Sequence, residues 1–184
     1  MNQTWIMFLR AVNVGGRKVE MARLRTLLTG MGLARVRSYI ASGNIFFDAD
    51  LAGPRERAEL TRAVEARLLA EFGFEIPAVL RSTAEVEAAL AAAPFDQVEP
   101  TPDTRFSIAF LSGPLTGLTL PLRSPKDEWE LLGATAGEAY LVSWRLNGRV
   151  GGNPVAALEK AFGVKGTARF FHTTAKILAA AKQP

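Results

Sequence analysis

The chain of 184 residues has no cysteine and a single histidine, His172. The first absence excludes disulfides, thiolate nucleophiles and Cys-based zinc or iron–sulfur sites. The second leaves no means of building a multi-His metal centre. Any metal would need carboxylates, and no segment resembles a D-x-D-x-D-G loop. The sequence also lacks a long hydrophobic run. The opening MNQTWIMFLRAVNVGG holds an apolar stretch of about eight residues interrupted by Arg10, short of a membrane span and without a basic leader. No membrane association and a cytoplasmic, bacterial-type protein are therefore expected. Neither a Walker loop nor G-x-G-x-x-G occurs.

What is present fits an ordinary globular protein, with 48% hydrophobic and 22% charged residues, and neither disorder nor a fibre. Net charge is +4, unevenly spread. Residues 1–47 carry seven cations (Arg10, Arg17, Lys18, Arg23, Arg25, Arg35 and Arg37) against Glu20 alone. Residues 51–100 carry five basic and nine acidic groups. A basic opening third points to an anionic partner, a nucleic acid or a phosphorylated small molecule. The bland alternative is a solvated arginine face.

Hydrophobic periods give a repeating order. Residues 5–11 read as a strand and 20–30 as a helix, with Met21, Leu24, Leu27 and Leu28 at helical spacing and Gly30 and Gly32 ending it. Residues 35–40 alternate as a strand. Ser42-Gly43-Asn44 is turn chemistry before the apolar Ile45, Phe46 and Phe47. Pro54 opens an amphipathic helix over 54–72 with Leu60, Val64, Leu68 and Leu69 inward; a strand at 76–81 and a helix at 83–92 follow, the latter capped by Ser82 or Thr83. The stretch 93–104, with three prolines and no period, reads as a linker. Beyond it come a strand at 105–111, a helix at 124–132 opened by Ser124-Pro125, and strands at 133–137 and 138–144. A helix at 154–162 capped by Asn153, a strand at 164–168 and a helix at 171–181 complete the chain.

Each half thus reads β-α-β-β-α-β-α, the order of a ferredoxin-like split β-α-β domain. The expected fold class is α+β with two tandem halves: 1–93, a Pro-rich linker at 94–104, and 105–184. In that topology the first and third strands lie antiparallel at the sheet centre. The loop Val12–Lys18 then meets the hairpin Ser42-Gly43-Asn44.

The loop Asn13-Val14-Gly15-Gly16-Arg17-Lys18 is the main candidate for chemistry. Consecutive glycines can leave N–H groups free to face one anion, and Arg17 and Lys18 add charge. The predicted ligand-binding set is Arg10, Asn13, Gly15, Gly16, Arg17, Lys18, Arg37, Ser42, Gly43 and Asn44, with no metal and no cofactor. A second glycine-rich loop, 147–153, reads as a surface connection with a helix cap. His172 has no serine or carboxylate paired with it in sequence and reads as structural. So does the acidic run Asp127-Glu128-Trp129-Glu130, which would open a helix.

An RNA-recognition sheet, with Phe8, Phe46 and Phe47 as stacking platforms, is disfavoured. The first strand is apolar on both faces, Trp5, Met7 and Leu9 against Ile6 and Phe8, and such a sheet is usually covered on both. The RNP1 pattern is absent as well.

Three segments resemble the bacterial domain-of-unknown-function family 1697. They are Leu9-Arg10-Ala11-Val12-Asn13-Val14-Gly15-Gly16, Met21-Ala22-x-Leu24, and Tyr39-Ile40-Ala41-Ser42-Gly43-Asn44-Ile45-x-Phe47. The likeness extends to the ending Thr167-Ala168-Arg169-Phe170-Phe171-His172-Thr173-Thr174-Ala175-Lys176-Ile177. There Arg169, Thr173 and Lys176 match and are secondary site candidates, while Phe170-Phe171 replaces an Asn-Trp pair. Ala11 stands where the family pattern has glycine. The resemblance implies an α+β fold of split β-α-β type and no established activity or cofactor.

The leading expectation is a non-enzymatic module binding a nucleic acid or nucleotide through the two loops. An enzyme acting on a small phosphorylated or amide-bearing substrate at the same cleft is the alternative. Its weakness is a shortage of titratable groups, Glu20 and Asp48 being the nearest acids. A structural protein that forms a homodimer through the doubly apolar sheet is the third.

Overall fold

A computed structural model describes residues 3–183. The protein is α+β, with two antiparallel sheets and, among the described residues, five α-helices. It divides into two compact units, one formed by residues 1–87 and 176–184 and the other by 88–175.

In the first unit β1 (Gln3–Leu9), α1 (Met21–Gly30), β2 (Ala34–Tyr39), β3 (Asn44–Ala49), α2 (Pro54–Phe72) and β4 (Ala78–Ser82) follow in order, and α3 (Thr83–Ala91) begins there. The strands pair as β2-β3-β1-β4, all antiparallel, which sets β1 beside β3 at the centre. Alternation along β1 sends Trp5, Met7 and Leu9 into a core with Ile45 and Phe47 of β3, Leu24 and Leu28 of α1, and Val64 and Leu68 of α2. Ile6, Phe8 and Phe46 occupy the opposite face and are buried too. Phe8, Phe46 and Phe47 are thus buried and offer no stacking platform.

The helix ends follow their residues. Gly73 continues α2 into the left-handed region at φ +78 and its N–H donates to the Leu69 carbonyl. At the start of α3 the Glu85 N–H donates to Ser82 Oγ, and the Ser82 N–H donates to Glu85 Oε2 at 2.7 Å, a reciprocal capping box. Arg57 of α2 reaches the same carboxylate at 2.8 Å.

Burial raises the Glu85 pKa, but the Ser82 N–H and the Arg57 charge outweigh it and hold the carboxyl below its ordinary 4.5. A depressed folded-state value adds stability that is complete above the unfolded pKa and disappears as pH falls through the folded one. Glu85→Gln should therefore lose less stability than the parent protein when urea midpoints are compared between neutral pH and about pH 3. Equal losses would remove Glu85 from the acid response.

The closing helix α5 (Phe171–Ala181) ends in the first unit. The Arg37 guanidinium donates to the carbonyls of Ala181 and Gln183 at 3.2 and 2.8 Å, and Lys182 pairs with Glu87. Those bonds explain why 176–184 belongs with the opening residues, whereas the sequence reading kept 105–184 together. The unit boundary at 87/88 likewise falls before the stretch read as a linker. That stretch carries a 3-10 turn, Phe95–Gln97, whose buried Phe95 stacks on Phe106 at 4.7 Å and meets Tyr140 and Phe171 edge-on. The prolines shape a turn around an aromatic anchor.

The second unit holds β5 (Thr104–Leu111), β6 (Leu122–Arg123), β7 (Trp129–Ala134), β8 (Glu138–Leu146), β9 (Arg149–Val150), α4 (Pro154–Phe162) and β10 (Gly166–Phe170). Its sheet runs β10-β5-β8-β7-β6, with β9 beside β8. The helix expected at 124–132 is absent. Ser124-Pro125 begins a tight turn instead, in which Ser124 Oγ accepts from the Glu128 N–H at 2.7 Å and Asp127 sits at φ +55. Trp129 and Leu131 then alternate into the core as a strand paired with β8. The acidic run therefore opens a strand, with Glu130 pairing across to Arg123 of β6. Among the described residues no helix is long and apolar enough to cross a membrane.

Candidate functional site

Because β3 runs antiparallel to β1, the turn before β3 lies against the end of β1. The Leu9 N–H donates to the Gly43 carbonyl at 2.8 Å. A Cβ on Gly43 would fall 2.6 Å from Val12 Cγ2 and 2.8 Å from Leu9 Cβ, and the residue sits at φ +79. Only glycine permits both the dihedral and that approach. The two loops expected to meet do so.

Asn13 is the bolt between them. Its Nδ2 donates to the carbonyls of Ala41 at 2.7 Å and Val19 at 3.1 Å, and its Oδ1 accepts from the Val19 N–H at 2.9 Å. At φ +57 it adopts the left-handed conformation that Asn tolerates best among residues with a side chain. Asn44 does the same for the hairpin. It is fully buried, and its Nδ2 donates to the Tyr39 carbonyl and to Ser42 Oγ. Both asparagines spend their amides on the loops themselves. Ala11, at the family's glycine position, also sits at φ +54.

Between these fixed points Val14 and Arg17 close a tight turn. The Arg17 N–H donates to the Val14 carbonyl, and the Asn13 N–H to the Arg17 carbonyl. Gly15 and Gly16 form its tip at φ +58 and +82, with open space on their Cβ sides. The turn borders an open cleft of about 440 Å³ lined by Asn13, Gly16, Arg17, Lys18, Val19 and Glu20. Residues 13–18 are all exposed. The Arg17 guanidinium lies over the Phe74 ring at 5.5 Å, which orients it without neutralising it. Glu20 is the one carboxylate lining the cleft.

The other cations of the basic opening are engaged elsewhere. Arg23 pairs with Glu71, Arg35 with Asp48, and Arg25 donates to Ser38 Oγ. Arg37 lies over the Phe46 ring at 5.5 Å, on the sheet face opposite α1, and fastens the chain end; the structure separates it from the loop. Arg10 follows β1, half-buried, with its N–H donated to the Pro77 carbonyl.

The secondary candidates divide between the units. Arg169 and Thr173 belong to the second, Lys176 to the first. Burial lowers the Arg169 pKa to about 10, still charged at neutral pH, and the guanidinium donates to Thr167 Oγ1 and the Ala168 carbonyl. His172 is exposed, with its ring stacked on Phe170 at 5.9 Å. In the second glycine loop Asn153 Oδ1 accepts from the Ala156 N–H, the helix cap expected of it. Glu128 lies against Gly151 there, a carboxylate where an anion site would need a cation. No group of three His, Asp or Glu stands close enough to hold a metal among the described residues.

Ile40 closes the strand read over residues 35–40. Nothing in the letters marks a left-handed isoleucine there. In the structure it sits at φ +50 and is 51% exposed.

A two-sheet α+β protein with an asparagine-bolted, cation-bearing loop at the end of its first strand is the class these features define. The family model for a protein of unknown function, DUF1697, matches residues 1–140. The chain belongs to that family. The solved structure of a conserved bacterial protein from Streptococcus pneumoniae is similar over the full length of both chains, with a TM-score of 0.68 and 23% identity, a likeness of fold. No curated protein is significantly similar to the chain.

Proposed function

We propose that this protein binds an anionic ligand, a nucleic acid or nucleotide, at the Asn13–Lys18 loop, without catalysing a reaction on it. One observation carries the reading. Among the described residues Arg17 and Lys18 make no ion pair, whereas Arg23 and Arg35 of the same basic opening are paired to carboxylates. Two exposed cations follow a glycine tip whose loop is braced by Asn13. This is a pre-organised contact for phosphate, since the bracing by Asn13 lowers the ordering cost of binding. The open form of the cleft suits a polymer backbone better than a small substrate, which an enclosed pocket would bury. A single carboxylate, Glu20, and no histidine give the enzyme reading little to work with. Binding nucleic acid goes with a cytoplasmic location.

The two sheets have one strand order, β2-β3-β1-β4 and β7-β8-β5-β10. We read them as two copies of the split β-α-β arrangement, the second having lost its first helix to the segment that carries β6.

The test is fluorescence anisotropy with labelled single- and double-stranded DNA and RNA at low and physiological salt. The double variant Arg17→Ala, Lys18→Ala should bind more weakly and flatten the log–log salt dependence by about 1.4 for a single strand, two contacts at about 0.7 each. Its circular dichroism and melting temperature should match the parent, because both side chains are exposed. An unchanged salt slope would remove the loop as the site.

A further inference from the structure

Ile40 is in the wrong conformation for its side chain. A β-branched residue at φ +50 brings its branch against its own backbone, and glycine or asparagine would take that position at lower cost. The facing loop shows the cheaper solution, with Asn13 at φ +57. Burial does not compensate, since the side chain is 51% exposed. Val14, across the junction, is 57% exposed. The hydrogen bond from Asn13 Nδ2 to the Ala41 carbonyl, 2.7 Å long, joins the immediate chain neighbours of these two residues. Two exposed aliphatic side chains therefore stand at the same junction as the unpaired cations Arg17 and Lys18. Folding gains little from this arrangement, and strain held against folding marks a site of use.

We infer that the junction recognises single-stranded nucleic acid, with Arg17, Lys18 and the Gly15–Gly16 tip taking phosphate and with Ile40 and Val14 packing against an unstacked base. The inference rests on the loop reading above and adds the base contact to it. Charge and apolar surface side by side match a strand in which every phosphate has a base next to it. A duplex hides its base faces and offers the loop only phosphate. A membrane surface would ask for a broad apolar face, whereas two aliphatic side chains on a braced turn give little to insert.

The experiment uses the full chain and three labelled probes of equal length: an oligothymidylate dodecamer, an abasic dodecamer with the same backbone charge, and a duplex. The base-bearing strand should bind more tightly than the abasic one. Ile40→Asn should lower affinity for oligothymidylate about fivefold, the loss of one aliphatic contact, and leave the abasic strand unaffected. Its melting temperature should rise, because asparagine accepts the left-handed backbone. Ile40→Thr keeps the β-branched shape and should show the same binding loss without the rise, which keeps the test valid if the asparagine variant folds poorly. Equal affinity for the base-bearing and abasic strands, or unaltered binding by both Ile40 variants, would overturn the base contact while leaving the loop as a phosphate site. Binding of none of the probes would overturn the loop reading itself. Saturable binding to phosphatidylserine vesicles in place of the oligonucleotides would overturn the nucleic-acid ligand.

Discussion

Gly43→Ala should destabilise the protein by about 3 kcal/mol, the sum of a left-handed backbone penalty of about 1–2 and an overpacking penalty of about 1–3. The added methyl would lie 2.6 Å from Val12 Cγ2 and 2.8 Å from Leu9 Cβ, far inside van der Waals contact. Neither neighbour has room to retreat. Val12 and Leu9 are buried at 3% and 1% exposure, and the Leu9 N–H is bonded to the carbonyl of Gly43 itself. Relief would require the hairpin to lift off the end of β1, which would also stretch the bond from Asn13 to Ala41. The variant should therefore unfold at lower urea with an unchanged slope, and its loop should lose its fixed shape before the sheet melts. A loss under about 1 kcal/mol would mean that the turn relaxes freely, and the two loops would then not be a rigid pair.

Much of the first unit could be read from the letters. Leu24, Leu27 and Leu28 of α1 and Val64 and Leu68 of α2 are buried as their spacing predicts, whereas Leu69, read as inward too, is 44% exposed because it lies off the buried stripe. Pro54 starts α2 and Ser82, one of the two caps expected, starts α3, because each acts through local geometry that no distant contact overrides. The antiparallel order of β1 and β3 followed, and with it the meeting of the two loops. The 124–132 segment failed for an equally physical reason. Ser-Pro-x-Asp-Glu begins a helix or closes a serine-capped turn with the same hydroxyl, and only the pairing of Trp129–Ala134 with β8 decides between them.

The site was legible as a place and less so in its roles. Asparagine in a glycine loop gives one signal for two duties, ligand contact and internal brace. Asn13 and Asn44 turn out to serve as braces, with their amides bonded to Ala41, Val19 and Tyr39 carbonyls. The count of seven cations in residues 1–47 could not show that Glu71 and Asp48, distant in sequence, pair with Arg23 and Arg35. Arg37 was misplaced because face is set by register. It pairs opposite Phe46, on the side of β3 away from α1. Ile40 escaped notice because an apolar residue at the end of an alternating run reads as strand, and its φ is imposed by the hairpin.

Trp5→Ala should cost about 4 kcal/mol, the usual result of emptying a buried indole site. Trp5 is 2% exposed on β1, its Nε1 donates to the Ala49 carbonyl at 3.3 Å, and it packs with Phe47 in the first unit's core. A further contact separates this site from an ordinary core position. The Arg57 guanidinium lies 4.7 Å from the ring centroid, and its Nε is buried without a hydrogen-bond partner. The indole face is what that edge of the guanidinium meets instead of water, while the other edge reaches Glu85. Trp5→Phe keeps an aromatic face under Arg57 and should cost about 1–2 kcal/mol, mainly for the smaller ring. In a double-mutant cycle pairing Trp5→Ala with Arg57→Met, urea unfolding followed by circular dichroism should give a coupling of about 1 kcal/mol, the scale of a partly desolvated cation–π contact. Strict additivity would mean that Glu85 alone holds Arg57. The capping box of α3 would then be tied to the core through its ion pair and not through the indole.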